Sequence, residues 1–284
     1  MENQLVLYDR SKKFLSLFLY LDTKKVDKEK LREHFLENYS IIPQELRLNL
    51  WKIALGVSSP FHEQNNTIDK MLKEHYEYMK HIIENILQIE AKNDQDLNYF
   101  IYLLDKDRLP IDNYQECLKN SHSFRLIYRQ LNDILDDQNV FDSYYLTVEI
   151  FERLNCQLDL IKKKFYNCLT NEIINKNLIE QIDVSPFLEC GLSGFFQDLK
   201  MYHIIWDRLA MEEYEIMILI LLSFLESCKK EHLEFLKTID YSQFGSIHSK
   251  FGLDECKILK RAAKYYRSFN QNPQISELIV KYFS

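Results

Sequence analysis

The sequence predicts an all-α fold, and three observations carry that prediction. Only five of the 284 residues are glycine and five are proline, where average usage would give roughly 20 and 14. Residues 111–185 contain neither. Apolar residues recur at i, i+3, i+4 and i+7 rather than alternating, which is the spacing of one helix face. The same shortage excludes glycine-rich phosphate loops, dinucleotide fingerprints and many-turned β folds, since all need residues that tolerate positive φ.

Composition narrows the class further. Hydrophobic residues make up 46% of the chain and charged residues 28%, enough to bury a large core under a polar surface. A net charge of −7 argues against a broad nucleic-acid or polybasic membrane surface. Six scattered cysteines without a CxxC pair, and no secretory opening, predict a reduced intracellular setting with most of the thiols as small core residues. The most apolar run, Ile216–Leu225, is half the roughly 20 residues that span a bilayer. It reads as a central buried helix.

The elements follow in order. Leu5–Leu21 reads as a helix and Lys24–Arg32 as a charged linker. Pro43 suits a first helical turn, and Gly56 suits the end of that helix. A second helix is predicted from Asn66 to Ala91, with Ile68, Met71, Leu72, His75, Met79, Ile82, Ile83 and Ile86 as one stripe. His75 then reads as a core-edge histidine. A shorter helix precedes Pro110, which should stop it. Asp112 and Gln115 resemble a capping box for a helix reaching about Asp136. Phe141–Leu169 reads as a long helix with a break near Asn155. Ile173–Gln181, Phe195–Met201, Tyr202–Leu209, 214–228, Glu231–Ile239 and two terminal helices complete the chain, the last opening at Asn272-Pro273.

Standard catalytic motifs are absent: no HExxH, Walker loop, GxSxG or Cys/His zinc spacing occurs. No cofactor and no metal is expected. A resemblance takes the reading further. Ile42-Pro43-Gln44-Glu45-Leu46-Arg47-Leu48-Asn49-Leu50-Trp51, closing at Gly56, resembles the opening motif of TBC domains. Ile205-Trp206-Asp207-Arg208-Leu209, ahead of the 216–225 run, resembles the later "WD" segment of that family. Taken alone, Arg47 and Trp51 lie one helical turn apart, where guanidinium can stack on indole. Trp206 reads as core, and Asp207 as a local cap or pair. The resemblance implies a two-lobed, multi-helix TBC-type domain. Residues 1–30 would pack on it, with lobes at 31–150 and 151–284.

TBC domains usually activate Rab GTPases by supplying an arginine and a glutamine in trans, the guanidinium stabilising charge on the transferring phosphoryl group. The family's I-x-x-D-x-x-R motif matches Tyr102–Arg108, with Asp105 and Arg108 in register. Arg108 is thus a candidate finger, or a basic residue favoured at a helix C-terminus. The glutamine motif, Y-x-Q-G-M-N-D, meets Ile127-Tyr128-Arg129-Gln130-Leu131-Asn132-Asp133 in two registers. One places Arg129 at the glutamine position; the other keeps Gln130 and loses a residue after it. No glycine follows Gln130. The pattern is that of a degenerate domain, and it resembles the branch that assembles with hamartin and tuberin. That likeness implies a non-catalytic subunit. Its partner would be the hamartin coiled coil, in a complex restraining Rheb and growth signalling. It would lie in the cytoplasm, recruited through partners to lysosomal or vesicle membranes, without nucleic acid or membrane insertion. The alternative is an active Rab GTPase-activating protein using Arg108 and Gln130.

Overall fold

The computed structural model describes residues 26–27, 30–31, 44–135, 140–169, 173–252 and 254–269. Among them there is no extended strand. The expected helices at Leu5–Leu21 and from Asn272, and the first-turn Pro43, lie outside the described residues.

Thirteen α-helices can be followed among the described residues. They are α1 Gln44–Leu55, α2 His62–His81, α3 Asp94–Asp105, α4 Tyr114–Cys117, α5 His122–Leu135, α6 Val140–Asn167, α7 Lys176–Ile179, α8 Ser185–Glu189, α9 Leu199–Ala210, α10 Glu215–Ser227, α11 Lys230–Leu236, α12 Ile247–Phe251 and α13 Glu255–Phe269. A π-helical turn, Ile82–Ile86, extends α2. Short 3₁₀ turns flank α4 and precede α12.

Two apolar cores organise these elements. The smaller gathers Tyr76, Met79 and Ile83 from α2 and its extension, Leu97–Leu103 from α3, Phe124 and Tyr128 from α5, and Tyr144 and Val148 from α6. Its centre is aromatic: Phe124 meets Tyr99 at 5.4 Å and Tyr102 at 5.1 Å between ring centroids. The larger core surrounds α10, whose residues Ile216 through Leu225 are all buried. A helix apolar all round must sit inside a shell of others, and α13, α6, α8 and α9 supply it. Ser223 is tolerated there because its hydroxyl donates to the Leu219 carbonyl at 2.7 Å. Among the described residues no helix is long and apolar enough to cross a membrane.

α6 is 28 residues long, about 42 Å at 1.5 Å per residue. It packs against α1, α2, α5, α8 and α10; its first half gives Tyr144 and Val148 to the smaller core and Leu146 and Ile150 to the larger, which Ile161 and Phe165 of its second half continue. The break predicted near Asn155 is absent, since nothing in that stretch removes a backbone donor. Phe195–Leu209 differs in the other direction: one helix, α9, begins only at Leu199. The single helix expected from Asp112 is broken by 3₁₀ turns on both sides of α4. No side-chain cap forms at its start, so the capping box is corrected.

The scarcity of glycine has a structural counterpart. Among the described residues five non-glycine residues take positive φ: Gln88, Asp107, Asn175, Leu192 and Glu212. At Asp107 (φ 54°) the reversal closes α3. The Arg108 N–H reaches the Leu103 carbonyl at 2.7 Å and the Asp107 N–H reaches Leu104 at 3.0 Å. That is the paired bonding of a Schellman cap, a place usually held by glycine. Glu212 repeats it after α9, with Glu213 bonding Arg208 and Glu212 bonding Leu209. So α3 ends through Asp107, before Pro110, rather than at the proline.

Candidate functional site

The two sequence landmarks meet. Arg47 and Trp51, one turn apart on α1, point at Asp207 on α9. The Arg47 Nε–H donates to both carboxylate oxygens at 3.2 and 3.3 Å, and the Trp51 indole N–H donates to Oδ1 at 2.9 Å. All three side chains are buried, and Trp206 lies 6.4 Å from Trp51, centroid to centroid. Asp207 therefore pairs across 160 residues and not locally, which corrects the expectation of a local cap. Burial pushes its carboxyl up to about 6, against the opposing pull of Arg47 and Trp51. Nearby His203 is lowered to about 4, first by burial and then by Arg47. The cluster is buried; it holds α1 against α9 and offers no reacting atom to solvent. Beside it, buried Lys52 bridges Asp69 of α2 at 2.6 Å and Asp142 of α6 at 2.8 Å.

The two candidate finger residues are placed differently. Gln130 is 8% exposed and lies in the wall of a cleft of about 480 Å³, together with Gln95, Arg125, Arg129, Phe196 and Tyr241. Its side-chain oxygen accepts from the Gly194 N–H at 3.4 Å. Arg125 pairs at 3.1 Å with buried Asp96 in the first turn of α3, so the cleft lies at the N-terminal end of that helix. Arg108 follows the C-terminal end and is exposed; its charge acts on the hydroxyls of Tyr99 and Tyr102. The twelve residues of α3 span about 18 Å, and Arg108 is not among the residues lining the cleft. The guanidiniums that do share the cleft with Gln130 are those of Arg125, paired with Asp96, and of exposed Arg129.

A second surface was not legible in the sequence. On α2 the buried face is Tyr76 and Met79, continued by Ile83. Met71 (62% exposed), Tyr78 (61%) and Ile86 (61%) face solvent, which corrects the single stripe expected to hold Met71 and Ile86 with Met79. Met71 and Tyr78 are seven residues apart, the repeat of a coiled-coil seam. His75 is partly exposed, bonded to Tyr145, which packs against the smaller core, and close to Asp105. Of the six cysteines only Cys190 and Cys228 are buried; all six are free. No group of three or more His, Cys, Asp or Glu suited to a metal occurs among the described residues.

An all-helical chain in this arrangement has the fold of a TBC, or Ypt/Rab-GAP, domain. The crystal structure of the Ypt/Rab-GAP domain of Gyp1p superposes with a TM-score of 0.54 over 92% of this chain and 99% of that one, at 12% identity. Among curated proteins the chain is similar to human TBC1 domain family member 7, 25% identical over 141 residues. That match covers 49% of this chain and 47% of the relative, so the chain spans about half the length of the curated relative it matches. No family model matches. The chain thus has the TBC-type fold.

Proposed function

We propose that this chain is a TBC-fold interaction subunit that binds the hamartin coiled coil and does not itself accelerate GTP hydrolysis. Tuberin would then carry activation toward Rheb in the shared complex, and the chain would work in the cytoplasm, reaching lysosomal or vesicle membranes through its partners. Lobes at 31–150 and 151–284 remain part of this reading. The observation that carries it is that Gln130, on α5, lines a cleft together with Gln95 at the start of α3, whereas Arg108 follows the other end of α3 and is not among the lining residues. A dual-finger mechanism needs both side chains on one phosphoryl group. Gln130 is also largely buried, with its carbonyl engaged by Gly194. The face for the partner is α2, where exposed Met71 and Tyr78 stand seven residues apart, with exposed Ile86 beyond them in the π-helical turn.

Titration of the intact chain with a fluorescent hamartin coiled-coil peptide tests this. Binding at or below tens of micromolar is expected, weakened at least tenfold by Met71→Asp with Tyr78→Asp. Absence of binding overturns the reading. The alternative, a Rab GTPase-activating protein using Arg108 and Gln130, is favoured by the register of Asp105 and Arg108 and by Arg108's exposure. Single-turnover hydrolysis over a Rab panel separates the two. An active enzyme would lose about 10³–10⁵ in rate with Arg108→Ala, whereas the interaction subunit accelerates no Rab before or after the change.

A further inference from the structure

We infer that the cleft beside Gln130 is a docking groove for an extended peptide segment bearing an acidic side chain, with Arg129 receiving the carboxylate. One wall is a single face of α5: His122, Arg125, Leu126, Arg129, Gln130 and Asp133 recur at helical spacing and all line it. Tyr241 stacks on His122, the first residue of that helix, with ring centroids 5.3 Å apart. The facing wall comes from the stretch between Gly194 and Tyr202. The cleft holds about 480 Å³, inside the roughly 300–1,000 Å³ range of ligand pockets. Its walls are fixed by bonds of their own. The Tyr202 hydroxyl donates to the Phe196 carbonyl and accepts from the Phe196 N–H, both at 2.8 Å. The Gln197 and Asp198 N–H groups donate to the Glu255 carboxylate at 2.8 and 3.1 Å, and the Tyr241 hydroxyl donates to Glu189 at 2.5 Å. A preformed wall spares a ligand the cost of ordering it.

The lining selects the ligand. Arg125 is already neutralised by Asp96. Arg129 is exposed and makes no ion pair among the described residues, so its guanidinium is the charge a ligand can use, and its planar fork matches a carboxylate. Gln130 spends its oxygen on the Gly194 N–H, which leaves its amide N–H groups as donors. Gln95 and Gln197 add amides that can both donate to and accept from a peptide main chain, and Asp133 adds an acceptor. Buried Phe196 and Leu199, the latter 42% exposed, make the wall apolar opposite these groups. A bare anion would leave that wall in water, and a wholly apolar segment would leave Arg129 unused. A nucleotide needs successive backbone N–H groups around its phosphates, and those of Gln197 and Asp198 are committed to Glu255. No α2 residue lines the cleft, so the inference stands apart from hamartin binding.

Random linear heptapeptides displayed on phage and selected against the intact chain, with the enriched sequences measured by fluorescence polarisation, test this. The enriched peptides are expected to share an Asp or Glu at a fixed distance from an aromatic or aliphatic residue. Their affinity should fall about tenfold or more with Arg129→Gln or Gln130→Glu, the loss of a charge-assisted bond. Arg129 is exposed and unpaired, so its replacement leaves the fold intact. Gln130→Glu keeps the side chain's shape and its acceptor for Gly194 while replacing the amide donor with an anion. Arg129→Glu should reverse the preference, binding the same peptide once its acid is replaced by lysine. Met71→Asp with Tyr78→Asp should leave peptide affinity unchanged, so failure here is distinguishable from failure of the hamartin reading. Enrichment of no sequence, enrichment of sequences without an acid, or affinity indifferent to Arg129 and Gln130 overturns the proposal. So does binding of GDP or inorganic phosphate as tightly as the peptide.

Discussion

Arg47→Leu removes the cation from the buried Asp207 cluster. In the wild type the carboxylate receives three donor contacts, two from Arg47 Nε at 3.2 and 3.3 Å and one from Trp51 Nε1 at 2.9 Å. The variant leaves the Trp51 indole and the charge of Arg208 to stabilise a buried anion. Breaking a buried pair from one side costs about 3–5 kcal/mol. The loss must also depend on pH. Burial raises the Asp207 carboxyl from 3.8 to about 6 in the folded chain. A raised carboxyl favours folding at low pH, and that contribution is lost as pH rises through about 6. The change is worth at most about 3 kcal/mol. Without Arg47 the folded protein escapes the unpaired charge by taking up a proton, which is easy at pH 5 and costly at pH 7.5. Urea unfolding at both pH values checks this, with the slope unchanged and the midpoint moved. A loss of about 3–5 kcal/mol is expected at pH 7.5, and at least about 1 kcal/mol less at pH 5. A loss below about 1 kcal/mol at pH 7.5, or the same loss at both values, refutes the reasoning.

Lys52→Met strands Asp142 and Asp69, which Lys52 holds at 2.8 and 2.6 Å. Urea titration should show about 3–5 kcal/mol lost, and less in acid because burial has already raised Asp142. Gly191→Ala places a methyl at φ +58°, 3.1 Å from Leu209 Cδ1 and 3.4 Å from Leu154 Cδ1; calorimetry should register about 1–3 kcal/mol of destabilisation. Asp107→Gly relieves a left-handed residue that keeps its cap bonds, so it should gain up to about 1 kcal/mol in the same assay.

Much of the fold was legible because helix signals are local. The polar turn after α1 and the apolar run of α10 lie where spacing placed them, with Gly56 (φ 85°) ending α1. The misses share a cause. An apolar stripe says that a face wants cover, not which neighbour supplies it. Met71 and Ile86 therefore looked like core until α3 and α6 were seen to cover only the Tyr76–Met79–Ile83 side. The stop of α3 at Asp107 was hidden because an aspartate at positive φ carries none of the signal of a glycine. Gln130 was nameable from its motif. Its cleft was not, because Gly194 and Tyr241 reach it from distant loops.

By itself the sequence determined an all-helical chain with few glycines, no metal or phosphate motif, and two landmarks of a TBC domain in the right order. Hydrophobic periodicity and backbone preference act over a few residues, so they can be read directly. Only the tertiary structure decided that Arg47, Trp51 and Asp207 are one buried cluster, that Gln130 lines a cleft without Arg108, and that His75 links three helices. Those relations depend on how helices distant in sequence pack, and packing is a property of matched surfaces rather than of any one segment.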